Sequence, residues 1–216
     1  MPLDLTIGDD FRPLFDDDLI GKVRYIALHG GRGGAKSTAA GIAAILRSRY
    51  MAGYKVAVVR DTENSLAGSF HALLKGLITS LGFEHEFNVT DTSIKHLETK
   101  AEFVFLGTSK KPDAIKSLEG VDLLIVEEAA PLSRKVLGVL FPTIRNDGAQ
   151  IWLLWNPPEE PCACDLRFRG PDCPADALVI EVNFNTANPF WFHTSLVTEE
   201  LQARAAPDDP AHLRGG

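Results

Sequence analysis

Eight residues near the start of the chain, Gly30-Gly31-Arg32-Gly33-Gly34-Ala35-Lys36-Ser37, form the first pattern capable of chemistry. They match G-x-x-x-x-G-K-[ST] at Gly30, Lys36 and Ser37, with Ala35 in place of the second glycine. Glycines let backbone N–H groups wrap phosphate oxygens, and a helix that starts at Lys36 would add partial positive charge at the same point. In such a loop the lysine reaches the β- and γ-phosphates of ATP and the serine hydroxyl holds Mg²⁺. With Thr38, the stretch 30–38 forms the expected nucleotide-binding set, together with Arg60 and Asn156 further along the chain. Ala35 fits if its φ is negative, Gly33 and Gly34 supplying the missing freedom. The plainer alternative is a glycine-rich turn with a chance lysine. A strand-like run before it and a helical run after it argue against that.

A second pattern is Glu127-Glu128, directly after the apolar run Leu123–Val126. A carboxylate at the C-terminal end of a buried strand faces the crevice where open α/β sheets bind ligands. Glu127 suits the acid that orients Mg²⁺, and Glu128 the base that polarises an attacking water. Two solvated glutamates opening a loop are the alternative, weakened by the glycine loop that would share their crevice. Asn156 ends the run QIWLLW and could contact a γ-phosphate or the water, or could simply make an Asn-Pro turn; both readings stand. Arginines serve as transition-state clamps. Arg32, inside the loop, is the first choice, and Arg60, at a strand end, is the second. Arg145 ends a helix. The expected catalytic set is Lys36, Glu128 and Arg32.

The elements around these residues alternate. Val23–Leu28 (VRYIAL) is β-rich, and Lys36–Tyr50 favours helix, with Arg47 and Arg49 near its end and Gly53 as a stop signal. Lys55–Arg60 reads as a buried parallel strand. Leu66, Phe70, Leu73, Leu74, Leu77, Ile78 and Leu81 make a helical stripe over 64–81. Two or three strands are expected over 83–106 and a short helix over 113–118. Val121–Val126, Gln150–Trp155 and Leu178–Val182 read as strands. Ser133–Arg145 reads as a helix capped by Ser133, and Phe190–Arg204 as a further helix. Met1–Gly21 reads as a surface arm, Pro158–Pro174 as a loop or insertion, and 208–216 as a polar tail. The fold class is therefore α/β: a P-loop NTPase of the ASCE/RecA-like kind, with a mainly parallel central sheet flanked by helices. Its expected limits are 22–182, with an N-terminal arm over 1–21 and a C-terminal linker over 183–216.

A net charge of −7 and a pI near 5.4 argue against a surface coated for non-specific nucleic-acid binding. One local basic strip is still possible. Lys110-Lys111, Arg134-Lys135 and Arg167/Arg169 are its candidate phosphate contacts, a solvated face being the plainer reading. Cys162, Cys164 and Cys173 form C-x-C-x8-C, which lacks the two close pairs of a four-ligand zinc site, so reduced thiols are expected. No apolar run approaches the roughly 18 residues of a membrane span. The acidic N-terminus lacks the order of a signal peptide, which points to a cytoplasm.

Taken together, the residues resemble the ATPase domain of the tailed-phage terminase large subunit. The likeness lies in GGRGGAKS at 30–37, Arg60 followed by Asn64-Ser65, FLG at 105–107 and IKSLEGVDLLIVEEA at 115–129. It continues in FPTIR at 141–145, IWLLWNP at 151–157 and NFNTANPF at 183–190. The resemblance implies that Lys36 and Ser37 are Walker A residues, Glu127 the Walker B acid and Glu128 the catalytic glutamate. Asn156 would lie in the coupling motif and Arg32 would sense the γ-phosphate. It also implies ATP and Mg²⁺ as cofactors, and double-stranded DNA, a portal protein and a small terminase subunit as partners. The protein would act as a homo-oligomeric ring in a host cell's cytoplasm, outside the mature virion. The family's nuclease domain has no counterpart here, so no DNA cleavage is expected, and NFNTANPF looks like the linker toward it. Net negative charge favours a monomer in isolation. The rivals are a non-motor P-loop enzyme, such as a small-molecule kinase or a GTPase, and a nucleotide-switch module. A GTPase is disfavoured because N-K-x-D is missing from the sequence.

Overall fold

The computed structural model describes residues 7–61, 70–107 and 118–182. Eight strands form one sheet in the order β3-β4-β5-β2-β6-β7-β1-β8. They are β1 Tyr25–His29, β2 Lys55–Arg60, β3 Phe87–Val89, β4 Ser93–His96, β5 Glu102–Gly107, β6 Leu123–Val126, β7 Gln150–Trp155 and β8 Ala177–Glu181. From β5 across to β8 every neighbouring pair is parallel, and β4 and β3 extend one edge antiparallel. Strands β1, β6 and β7 are buried along their whole length, as both-face coverage of a parallel sheet demands.

Alternate residues build two cores. On one face Ile26, Leu28, Val56, Val58, Leu123, Ile125, Trp152 and Leu154 pack under α1 (Lys36–Tyr50) and α2 (Phe70–Ser80). On the other, Tyr25, Ala27, Val59, Leu124, Val126, Leu153 and Trp155 pack under α3 (Arg134–Thr143) and α4 (Ala163–Phe168). The period of two along each strand divides the residues between the layers. The helix capped by Ser133 forms as expected, the Ser133 hydroxyl accepting from Val136 N at 3.3 Å.

Two stretches depart from the sequence reading. Within the supposed surface arm, Asp9–Phe15 and Asp17–Leu19 form 3-10 turns, with Phe11 and Leu14 buried in the α1 core. Asp17 pairs with the buried Arg47 at 3.3 Å and accepts from the Tyr50 hydroxyl, which ties the turns to α1. The stretch 158–174 contains α4, whose Cys164 and Phe168 are buried. Asp165 holds this helix by accepting from Cys162 N (3.1 Å), Trp155 Nε1 (3.1 Å) and Arg169 Nη1 (2.9 Å). The expectations for 64–69, 113–117, 183–190, 190–204 and 208–216 lie outside the described residues. No helix among the described residues is long and apolar enough to cross a membrane.

Candidate functional site

The loop from Gly30 to Ala35 joins the C-terminal end of β1 to the first turn of α1. Gly30 has φ +144°, and a Cβ there would lie 1.8 Å from the carbonyl oxygen of Val182. Val182, just past β8, also donates its N–H to His29 O at 2.7 Å. The end of β8 is thus packed hard against the start of the loop, and a side chain at position 30 would break that contact. Ala35 corrects an expectation: its φ is +57°, not negative. The loop reaches the helix through a left-handed residue, the conformation a glycine would supply. Alanine adopts it at a cost of roughly 1–2 kcal/mol.

Lys36 opens α1 and is 7% exposed. Its ammonium donates to Gly30 O (3.0 Å), Gly31 O (2.8 Å) and Asn156 Oδ1 (2.9 Å). All three acceptors are neutral, so nothing offsets the burial, which lowers its pKa to about 8. Asn156, at the end of β7, is therefore not merely part of an Asn-Pro turn; its side chain meets the loop lysine. The Ser37 hydroxyl lies 3.4 Å from Glu127 Oε1.

Glu127 follows β6, and its N–H donates to Val59 O of β2 at 2.8 Å. Burial pushes its carboxyl up; Arg60 opposes this, the neighbouring Glu128 charge adds to it, and the Ser37 hydroxyl opposes it. Its Oε2 is buried without a hydrogen bond, 3.5 Å from Arg60 Nε. Glu128 turns out of the strand at φ +50°, with its side chain 57% exposed, and its Oε2 pairs with Arg60 Nη2. A buried carboxylate oxygen lacking a hydrogen bond, beside a serine hydroxyl on the other oxygen, is an all-oxygen donor set suited to a hard cation such as Mg²⁺. Ser37 and Glu127 are the residues that would hold it.

Four strand ends, those of β1, β2, β6 and β7, thus bring Lys36, Ser37, Arg60, Glu127, Glu128 and Asn156 together. Gly31, Gly33, Gly34 and Thr38 lie on the same loop and first helical turn. Arg32 is exposed on the loop and makes no ion pair among the described residues. Arg145 pairs instead with Glu119 at 3.1 Å. Of the basic candidates, Arg167 stacks over Tyr25, Phe141 and Phe168, Arg169 pairs with Asp165, and Arg134 and Lys135 are exposed. Asn64, Ser65, Lys110 and Lys111 lie outside the described residues. Sequence reasoning missed Val182, whose contact with Gly30 exists only through strand pairing.

A glycine loop between a parallel strand and a helix, and a strand-end carboxylate one strand away across β7, define a P-loop NTPase of the ASCE class. The sequence matches the phage terminase large subunit family over residues 22–203, and the chain belongs to that family. No curated protein matches it. Among solved structures, the large terminase of a thermophilic bacteriophage has a TM-score of 0.70 at 13% identity, covering 92% of this chain and 50% of that one. That terminase is also known in complex with ADP and with ATP-gamma-S. The large terminase ATPase domain of Thermus phage P74-26 has a TM-score of 0.64 at 14% identity, over 98% of both chains. The large terminase of bacteriophage HK97 has a TM-score of 0.67 at 9% identity, covering 100% of this chain and 50% of that one. At such identities the likeness speaks for the fold. The chain spans about half the length of the first of these relatives.

Proposed function

We propose that this chain is the ATP-hydrolysing part of a viral DNA-packaging motor, turning over ATP to drive double-stranded DNA into a procapsid. The observation that supports this best is the convergence of Lys36, Ser37, Glu127, Glu128 and Asn156 at the ends of adjacent parallel strands. The loop N–H groups and the Lys36 ammonium bind the phosphates, and the Lys36 charge finds there the anionic partner its neutral acceptors do not give it. Ser37 and Glu127 would hold Mg²⁺, which would supply charge neutralisation to the bound phosphates. Glu128, more exposed than Glu127, orients the attacking water and takes its proton. Asn156, bonded to Lys36, reports the state of the phosphate to the segment after β7. Arg32 contributes positive charge to the transferring phosphoryl group, either in its own site or, in a ring, from a neighbour. The partners proposed are DNA, a portal protein and a small terminase subunit, in a host cell's cytoplasm.

Nucleotide-binding titrations beside phosphate-release assays test the assignment. Lys36→Ala should lose ATP binding, and Glu128→Gln should bind ATP without hydrolysing it. Wild-type turnover in Glu128→Gln overturns the reading. Turnover that rises with double-stranded DNA, portal protein or protein concentration supports the motor. Fast turnover indifferent to all three favours a self-contained enzyme.

A further inference from the structure

We infer that Val182 is a positioning residue of the nucleotide site: its side chain is a fixed backing on which the glycine loop rests, and it holds the loop in the shape that receives the phosphates. This rests on the reading of 30–37 as the phosphate-binding loop. Val182 directly follows β8, the edge strand beside β1. The register sets Glu181 abreast of His29, and the Val182 N–H donates to His29 O at 2.7 Å. Val182 is fully buried and belongs to the core under α1. The sheet and the core therefore fix its place, and the loop does not.

From that place Val182 meets the loop at both ends. A Cβ at Gly30 would lie 1.8 Å from its carbonyl oxygen, and a Cβ at Gly34 would lie 3.3 Å from its Cγ1. The start of the loop thus rests on the Val182 backbone and the end of the loop on one of its methyls. Lys36 holds the loop from the other side, its ammonium donating to Gly30 O and Gly31 O. That hold is electrostatic, and it weakens when the ammonium turns toward a phosphate. The Val182 contact is dispersion between uncharged atoms and does not respond to the arriving charge. It is the hold that persists with nucleotide bound. A loop already ordered loses less freedom when it binds a ligand. Removing the Cγ1 methyl should therefore weaken nucleotide binding beyond any effect on the fold.

The test measures fluorescent-ATP Kd and Tm for Val182→Ala, Val182→Thr, Val58→Ala, Gly34→Ala and Lys36→Ala of this chain. Val58 is equally buried in the same core, on β2 and away from the loop, and serves as the control for lost packing. Val182→Ala should raise Kd by about tenfold, the effect of one more group to be ordered on binding. Val58→Ala should lower Tm as much while keeping Kd within about threefold of wild type. Val182→Thr keeps the branched shape but buries a hydroxyl, so it should lower Tm and still keep Kd within about threefold. Gly34→Ala presses on the same contact from the loop side and should raise Kd. A wild-type Kd in Val182→Ala refutes the inference. So does a Kd that follows Tm across Val182→Ala, Val182→Thr and Val58→Ala, because the role of Val182 is then structural alone. Should Val182→Ala not fold, Gly34→Ala decides, and a wild-type Kd there refutes the inference. Wild-type ATP binding by Lys36→Ala removes the loop assignment itself, and this inference with it; lost binding there beside a wild-type Kd in Val182→Ala overturns this inference alone.

Discussion

Replacing Lys36 by methionine should remove a pH-dependent penalty that the folded protein bears. Lys36 is 7% exposed, and its three acceptors carry no charge. Its pKa falls from 10.5 to about 8 because burial disfavours the ammonium. Below about pH 8 both folded and unfolded chains carry the proton, and the folded state bears the whole cost. The gap between 10.5 and about 8, at 1.36 kcal/mol per pH unit, amounts to about 3 kcal/mol. Between pH 8 and 10.5 the unfolded chain still binds a proton that the folded chain has released, so stability rises with pH through that window. Above 10.5 the penalty is gone.

Methionine has similar length and no charge, so it never bears this cost. It also gives up three hydrogen bonds of about 1 kcal/mol each, a loss that works in the opposite direction and does not follow the titration. The informative quantity is the change in the stability gap with pH. In nucleotide-free buffer, the stability of Lys36→Met relative to wild type should be about 3 kcal/mol more favourable at pH 7 than at pH 10.5. Urea unfolding followed by tryptophan fluorescence, with Trp152 and Trp155 buried in the core, reads this directly. Other groups titrate alike in both proteins and cancel. A gap that stays constant from pH 7 to 10.5 would show that the Lys36 ammonium is not penalised by burial, and the argument would fail.

Gly30→Ala must move a Cβ from 1.8 Å to about 3.3 Å from Val182 O, a displacement that should cost about 1–3 kcal/mol in thermal unfolding and abolish nucleotide binding. Ala35→Gly relieves the left-handed strain at φ +57° and should raise Tm by up to roughly 2–4 °C, with nucleotide affinity retained in titrations. Asp165→Ala leaves the buried Trp155 indole N–H without its acceptor and uncaps α4, for a loss of about 2–4 kcal/mol in urea unfolding.

The parts of this fold that could be read in the sequence are those whose signal is local. The glycine loop, the apolar runs of β1, β2, β6 and β7, and the Ser133 cap each declare themselves within a few residues. Ala35 departs from its expected φ because the junction into α1 holds it in the left-handed region, whereas alanine's own preference is for negative φ. The helix α4 is six residues long, too short for a helical period to show, and it is held by Asp165 and Phe168 more than by propensity. In the N-terminal turns only Phe11 and Leu14 among many acids mark the buried face. The Arg60 pairings depend on β2 lying beside β6, which no linear pattern reveals.

The charges in the crevice are also divided in a way that gives it direction. Glu127 and Glu128 share Arg60, while Lys36 is bonded to neutral oxygens alone. Had Lys36 paired with Glu127, the two charges would have quenched each other, and an incoming phosphate would have had to break an ion pair in a poorly solvated site. Asn156 prevents this by accepting from the ammonium without neutralising it. The cation therefore remains attractive to an anionic phosphate on the loop side of the crevice. The carboxylates lie on the β6 side, beside Arg60, where a hard cation and a water belong. Asn156→Asp would undo that separation by placing a charge beside Lys36. It should weaken ATP binding, read by titration, while raising the stability of the nucleotide-free protein at neutral pH; unchanged affinity would show that the neutrality of Asn156 is immaterial.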